Sequence, residues 1–235
     1  MPEIIINGSE GRIEGRYHQS ENKGAPVVLV LHPHPLYGGT MNNKIVYRIY
    51  HTFVQNGFSA LRFNFRGVGK SQGKYDEGIG ELSDAATALD WLQQQNPDAS
   101  TCWIAGFSFG AWISLQLLMR RPELEGFVAV SPPANLYDFS FLSPCPAAGL
   151  ITQGDKDDVV SEEEVRKLAN KLGAQHGTNV QYKVVHGADH YYRSQMDALT
   201  GVTDEFIARK MEELKSRPRI RPDRKRRQLP AELPQ

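Results

Sequence analysis

Five residues near the middle of the chain have the spacing that exposes a serine hydroxyl for nucleophilic attack. They read Gly106, Phe107, Ser108, Phe109 and Gly110, with one glycine two residues before the serine and one two residues after it. In a sharp turn from strand to helix these two positions press against each other, and glycine leaves the space free. We therefore predict Ser108 as a nucleophile, with the Phe109 N–H facing a developing oxyanion. The alternative is that Ser108 only caps the helix that follows.

A serine needs a base to remove its proton and an acid to orient that base. Two later segments, residues 153–160 and 186–192, supply such groups, and each directly follows an apolar run. The acidic candidates in the first are Asp155, Asp157 and Asp158. The histidine candidates in the second are His186 and His190. Spacing alone leaves both choices open.

Apolar runs alternate with helical patterns from about residue 26 to residue 214, which predicts an α/β fold. The expected architecture is a three-layer α/β/α sandwich around a mostly parallel sheet of about eight strands. The predicted strands are residues 3–7, 12–18, 26–31, 60–65, 101–107, 127–130, 148–152 and 180–185. The predicted helices are residues 42–56, 80–95, 109–120, 162–172 and 195–214. The helix after Ser108 is apolar nearly all round, as expected of a helix buried beside the sheet.

This order of motifs resembles the α/β-hydrolase superfamily. Gly154, Asp157 and Val160 match its run Gly-x-x-Asp-x-x-Val, so the resemblance implies Asp157 as the acid, with Asp155 as the competitor. Residues 187–190 end in His190 and match its Gly-x-x-His run, which aromatic residues follow. The resemblance therefore implies His190 as the base, whereas a structural role is expected for His186.

The loop after the first long apolar run reads His32, Pro33, His34, Pro35 and Leu36 where the superfamily has His-Gly. This form resembles a small group of bacterial hydrolases without a cap, related in layout to dienelactone hydrolases and acyl-peptidase domains. Aligning the first histidines makes His34 the second oxyanion donor. The prolines have no N–H, so Leu36 is the other candidate.

Three side chains adjoin the predicted catalytic groups in the sequence. They are Leu36, Tyr37 and Tyr191, and we predict that they bind the substrate. Residues 131–147, between two predicted strands, are too few for a cap domain, so the site should be open. The candidates for an apolar rim, or for packing on the sheet, are Tyr137, Phe139, Phe141 and Leu142.

Two other site types are considered and disfavoured. Residues 67–71 resemble the end of a phosphate-binding loop, but the position that requires its first glycine is Asn64. His32 with His34, or His186 with His190, have spacings seen in metal sites. No acidic residue occurs from 32 to 40, and a metal would leave the serine turn unexplained. We predict no metal and no cofactor.

The charge is balanced overall, with 27 basic and 27 acidic residues, but seven of the basic residues lie beyond Ser216. We predict one hydrolase domain, 1–215, and a disordered basic tail, 216–235. The basic tail only weakly suggests a nucleic-acid partner. We favour the interpretation that it is a solvated tail with no specific role. Two cysteines and the absence of an export or membrane signal favour the cytoplasm, with no membrane partner. The sequence is also compatible with a homodimer.

The predicted function is hydrolysis of a carboxyl ester or thioester through an acyl-enzyme on Ser108. The expected partner is a small acyl substrate. A peptidase or amidase with the same three residues is the first alternative. A non-catalytic binding protein on the same fold is the second, because a fold does not decide function.

Overall fold

The computed structural model describes residues 3–175 and 179–216 of the chain. The strands in these ranges are β1 Glu3–Gly8, β2 Gly11–His18, β3 Val27–Leu31, β4 Ser59–Phe63, β5 Cys102–Phe107, β6 Leu124–Val130, β7 Ala148–Gly154 and β8 Val180–Val185. The helices are α1 Lys44–Gln55, α2 Ile79–Gln95, α3 Phe109–Leu118, α4 Glu162–Gly173 and α5 Met196–Ser216. A short 3₁₀ turn covers Pro35–Tyr37.

The eight strands form one sheet in the order β1-β2-β4-β3-β5-β6-β7-β8. β1 pairs with β2, and β2 with β4, in antiparallel fashion, and all the other pairs are parallel. The predicted α/β class and the mostly parallel eight-stranded sheet are confirmed. A parallel sheet must be covered on both faces, which explains why β3, β4 and β5 are buried at every residue.

The two faces of the sheet bury two separate hydrophobic clusters. One cluster packs beneath α2, α3 and α4, and the other beneath α1 and α5. Because side chains alternate along a strand, Ile104 of β5 joins the first cluster while Trp103 and Phe107 join the second. α3 is buried on most sides, including Phe109, Ile113 and Leu117, which accounts for its apolar sequence.

The element boundaries differ from the sequence-based ones by a few residues. β4 ends at Phe63 instead of residue 65. Beyond it, the Asn64 side chain donates to Glu14 of β2, and the Arg66 side chain donates to Asp84 of α2. α3 ends at Leu118, and α5 continues to Ser216, so Ser216 is helical and does not begin a disordered tail. The rest of the predicted tail, 217–235, lies outside the described residues.

No cap domain stands over the sheet, because residues 131–147 run from β6 to β7 without a helix or strand. Phe139 and Leu142 of this segment are buried in the core beneath it, so the apolar rim does not include them. Tyr137 is partly buried and stacks on Trp112 of α3 at 4.2 Å between ring centroids. In the described part of the chain, no helix has the length and apolar character to cross a bilayer.

A buried ion pair fixes the loop after β4 to α2. The Arg66 guanidinium donates to both carboxylate oxygens of Asp84, at 3.0 and 2.8 Å, and the Arg66 amide donates to the same carboxylate at 2.9 Å. Their side chains are only 6% and 1% exposed. Gly80 allows this contact, since a Cβ there would lie 2.1 Å from the guanidinium.

Asp84→Asn is expected to lower the free energy of unfolding by about 3–5 kcal/mol. The buried Arg66 charge would then keep only Asp76 as a charged partner, with a carboxylate 3.9 Å away on a side chain that is 58% exposed. Denaturant unfolding measures this loss. Asp90→Asn is the matched control, because Asp90 lies on the same helix and pairs with Arg121 while its side chain is 53% exposed. The control should lose less than about 1 kcal/mol. Equal losses would show that burial is not what makes the Asp84 pair important.

Candidate active site

The carboxyl ends of five parallel strands meet at one edge of the sheet. The register pairs Leu31 of β3 with Gly106 of β5, and Phe107 of β5 with Val130 of β6. On the other side, Gly154 of β7 pairs with Val185 of β8. The loops that follow these strands therefore come together, as ligand sites of open parallel sheets do. These loops contain the predicted nucleophile, acid, base and oxyanion donor.

The turn at Ser108 is as tight as the glycine spacing predicts. Ser108 has φ 53° and ψ −120°, in a region that residues with a side chain rarely occupy. A Cβ on Gly106 would lie 2.3 Å from the Gly110 carbonyl oxygen, and one on Gly110 would lie 2.5 Å from that of His32. The Ser108 side chain makes no capping bond to α3. The capping alternative is therefore wrong, and the hydroxyl is left for another role.

The Asp157 carboxylate is buried and accepts four hydrogen bonds. Oδ1 accepts from the amides of Val159 and Val160, at 2.9 and 2.7 Å. Oδ2 accepts from the ring of His190 at 2.8 Å and from the side-chain amide of Gln153 at 2.9 Å. Burial acts to raise the pKa of this carboxyl, but the bonds from His190 and the two valine amides outweigh it, and the pKa is lowered. Asp157 is thus a carboxylate at neutral pH.

This contact fixes the tautomer of the His190 ring. Because the carboxylate has only lone pairs to offer, Nδ1 must carry the hydrogen, which leaves Nε2 of a neutral ring as an acceptor. The ring is only 5% exposed and packs against Phe107 at 5.1 Å between centroids. A neutral, oriented imidazole of this kind has the form required of a general base.

Ser108 and His190 line the same cavity, whose volume is about 240 Å³. Part of its lining comes from the His-Pro-His-Pro loop and Tyr37, and another part from Pro133, Leu136, Tyr137 and Val159. Of the three predicted substrate-binding side chains, Tyr37 and Tyr191 line the cavity. Leu36 does not, and its side chain is 66% exposed.

The competing acid and histidine pair with each other, apart from this cavity. Asp155 accepts from the ring of His186 at 3.0 Å and from the Gly187 amide at 2.6 Å. His186 is 87% exposed. The Asp155 contacts fix the turn after β8, so this pair has a structural explanation that does not involve Ser108.

A protein-family model described as X-Pro dipeptidyl-peptidase (S15 family) matches residues 17–217 of the chain. The chain belongs to this family. An uncharacterised protein of Rickettsia prowazekii is 54% identical over 211 residues, covering 88% of this chain and 89% of the other.

Solved structures agree with this assignment. A protein of unknown function from Agrobacterium tumefaciens superposes with a TM-score of 0.88 at 52% identity, covering 90% of this chain and 97% of that one. An α/β serine hydrolase without a lid from Xanthomonas campestris has a TM-score of 0.79 at 30% identity, covering 89% and 94%. The predicted resemblance to α/β hydrolases without a cap is confirmed, and the chain is an α/β serine hydrolase.

In this hydrolase the first histidine of the His-Pro-His-Pro loop is structural. The His32 ring is fully buried, with Nδ1 2.6 Å from the Pro33 carbonyl oxygen and Nε2 accepting from the Phe65 amide at 3.0 Å. Burial lowers the pKa of His32 to about 3, so the ring is neutral. It ties the end of β3 to the loop after β4 and has no ring nitrogen left for a metal.

The second histidine arranges the backbone of the loop. The His34 carbonyl accepts from the amides of Tyr37 and Gly39, and its ring Nδ1 accepts from the Leu36 amide at 3.2 Å. The Leu36 amide is therefore already bonded. His34 Nε2 reaches the Tyr75 hydroxyl at 3.1 Å. Among the described residues, no acceptor is assigned to the His34 amide, which favours His34 over Leu36 as the oxyanion donor.

Residues 67–71 are bonded to the first two strands of the sheet. Lys70 pairs with Glu3, and its amide donates to Glu14, so residues 67–71 do not form a phosphate cradle. Within residues 3–175 and 179–216, no three or more histidine, cysteine, aspartate or glutamate side chains are grouped so that they could hold a metal ion.

Sequence reasoning missed two residues that support the site. Gln153 donates to Asp157 at 2.9 Å and to the Val160 carbonyl at 2.7 Å, which holds the acid in place. Tyr75 bonds the His34 ring from a loop 41 residues away. The sequence signal for Gln153 was its place at the end of β7, two residues before the acidic run. Nothing in the sequence indicated Tyr75.

Proposed function

We propose that this α/β serine hydrolase cleaves carboxyl esters or thioesters through an acyl-enzyme on Ser108. The observation that carries the proposal is the buried Asp157–His190 hydrogen bond beside the cavity that Ser108 lines. A neutral imidazole held in this tautomer is the group that activates a serine in hydrolases with a Ser-His-Asp triad.

In the first half of the reaction, His190 Nε2 takes the Ser108 proton as Oγ attacks the carbonyl carbon. The carbonyl oxygen becomes an oxyanion, which accepts hydrogen bonds from the Phe109 and His34 amides. The intermediate then collapses, and the leaving oxygen or sulfur takes the proton from His190. Water repeats these steps on the acyl-enzyme and releases the acid. Asp157 remains ionised throughout and balances the charge of the imidazolium.

The cavity next to Ser108 favours short acyl groups. Its volume of about 240 Å³ lies below the roughly 300–1,000 Å³ of pockets that enclose drug-sized ligands. The wall formed by Pro133, Leu136 and Val159 is apolar. We therefore expect 4-nitrophenyl acetate and butyrate to be better substrates than the palmitate ester.

The name of the family raises a second candidate, release of dipeptides from peptide N-termini. A peptidase of this kind must bind a positively charged α-amino group, and a charge removed from water needs an opposite partner. The cavity that Ser108 lines has no aspartate or glutamate among its described lining residues. Esters and thioesters need no such partner, so the lining favours them.

A fluorophosphonate probe tests the proposal, because it reacts only with a serine that is activated as a nucleophile. The wild type should be labelled at Ser108, and Ser108→Ala should not be labelled. An unlabelled wild type, or equal labelling of the two proteins, would favour the non-catalytic binding protein instead. Faster turnover of alanyl-proline 4-nitroanilide than of 4-nitrophenyl butyrate would assign the site to the dipeptidyl-peptidase.

A further inference from the structure

A second, larger cavity adjoins the one that contains Ser108. Its volume is about 680 Å³, and it lies between the start of α1 and the loop that follows β8. Asn43 and Tyr191 line both cavities. We call this larger cavity the basic cleft, because it is lined by Lys44 and Arg48 of α1 and by Arg193 of the loop. No aspartate or glutamate is among its described lining residues.

The cations of the basic cleft are only partly neutralised. Arg193 pairs with Asp189 at 2.8 Å and is held over the Tyr191 ring, 5.0 Å from its centroid. Lys44 and Arg48 form no ion pair with any residue in the described part of the chain. Two unpaired cations beside a fixed one make a site of positive potential.

A buried arginine lies behind the same cleft. Arg62 of β4 is only 6% exposed and donates to the Met41 carbonyl and to the side-chain oxygen of Asn42, which lines the cleft. Its guanidinium lies 5.3 Å from the centroid of the Tyr47 ring, another part of the lining. Among the described residues it has no carboxylate partner, and its Nε is buried without a hydrogen bond. Burying an uncompensated charge is costly, so an anion in the cleft would be stabilised by it.

The position of His190 decides which half of a substrate would reach this cleft. His190 must give its proton to the leaving group, so that group has to lie on the His190 side of Ser108. Tyr191, the neighbour of His190 in the chain, lines both the Ser108 cavity and the cleft, so the cleft is reached from the His190 side. The apolar wall at Pro133 and Val159 is then left for the acyl group.

We propose that the basic cleft binds a phosphate on the leaving group, so that the preferred substrate is a short acyl ester or thioester of a phosphorylated alcohol or thiol. This inference rests on the proposed hydrolase function. A phosphate monoester has a charge of roughly −1.5 to −2 and three acceptor oxygens, which suits several cations better than a carboxylate does. The tyrosines and Met196 offer apolar contact to the rest of the leaving group.

Matched substrates test this proposal. In the ester pair, 1-butyrylglycerol is compared with 1-butyrylglycerol 3-phosphate, and in the thioester pair, S-butyrylpantetheine with its 4′-phosphate. The members of each pair differ only in the phosphate. We expect kcat/KM to be at least ~10-fold higher for the phosphorylated member of one pair, which is the effect of about one charge-assisted hydrogen bond. This ratio should fall when salt is added, because salt screens the charges. The pair with the larger ratio identifies the leaving group as an alcohol or a thiol.

A double variant, Lys44→Gln with Arg48→Gln, is expected to remove most of that preference. The matched control is Arg166→Gln with Lys167→Gln, which removes the same charge from two exposed side chains of α4 that do not line the cleft. The control should keep the preference of the wild type. A preference that survives in the first variant would overturn the assignment to this cleft.

The outcomes separate this proposal from the one on which it rests. A wild type that hydrolyses both members of each pair equally well would overturn the phosphate site and leave the hydrolase intact. A wild type that hydrolyses none of the four compounds and is not labelled by the fluorophosphonate would overturn the hydrolase function itself.

Discussion

Replacing Ser108 with alanine is expected to lower kcat for 4-nitrophenyl butyrate by on the order of 10⁶-fold, the loss seen when a serine protease loses its nucleophile. In the proposed mechanism, Ser108 Oγ forms the covalent bond on which both halves of the reaction depend. Steady-state turnover at saturating ester measures the loss. Because φ of Ser108 is 53°, alanine at this position keeps the same backbone strain, so stability should change little.

The control for this variant is Ser114→Ala. Ser114 lies on α3, the helix that begins directly after Ser108, and its hydroxyl donates to the Ala111 carbonyl at 2.8 Å. This variant should keep most of the wild-type kcat. The double variant of Ser108→Ala with His190→Ala should lose about as much as Ser108→Ala alone, because residues that act as a unit are not additive. A loss in the double variant that approaches the product of the two single losses would contradict the proposed unit.

The pattern of apolar runs in the sequence predicted most of the fold, because buried strands have apolar sequences. β5 is apolar at every position and lies between two other parallel strands, so its sequence and its environment agree. The helix after Ser108 was predicted for the same reason. The predicted ends of the elements were less accurate. The Asn64 side chain accepts from the Met41 amide beyond the end of β4, and the helix continues to Ser216, whose hydroxyl donates to the Glu213 carbonyl. The hydrophobic pattern of the sequence indicates neither of these features.

The candidate site was only partly readable from the sequence. Asp155 and Asp157 are two residues apart, and the sequence alone does not show which of them points into the protein. Either could therefore be predicted as the acid that orients the histidine. In the structure Asp155 bonds the exposed His186, while Asp157 points into the protein toward His190. The resemblance to known hydrolases favoured Asp157, but spacing alone did not.

The rest of the site depends on contacts between distant parts of the chain. The basic cleft combines α1 with the loop after β8, which are separated by most of the sequence. The bond between His34 and Tyr75 joins two loops that no local pattern relates. Leu36 is only two residues from His34, the proposed oxyanion donor, yet the 3₁₀ turn at Pro35–Tyr37 leaves it exposed. Adjacency in the sequence therefore identified Tyr37 and Tyr191 as lining residues but was wrong for Leu36.

Asp157→Asn is expected to lower kcat/KM for the same ester by on the order of 10⁴-fold without unfolding the protein. The asparagine oxygen can still accept from the Val159 and Val160 amides, which bond Oδ1 of the aspartate. Its amide nitrogen then faces His190 Nδ1 and donates to it, so the ring must carry its hydrogen on Nε2. In that tautomer the ring cannot accept the Ser108 proton.

Asp155→Asn is the matched control, with the same change of atoms and charge two residues away. Its carboxylate is partly exposed, and its partner His186 is mostly exposed, so the loss of this pair should change kcat/KM by less than ~10-fold. Both variants are compared with the wild type by ester turnover and by thermal unfolding. If Asp155→Asn lost as much activity as Asp157→Asn while both stayed folded, the orienting acid would have been misassigned. A large loss in Asp157→Asn alone would instead show that the buried, four-bonded carboxylate sets the tautomer of the base.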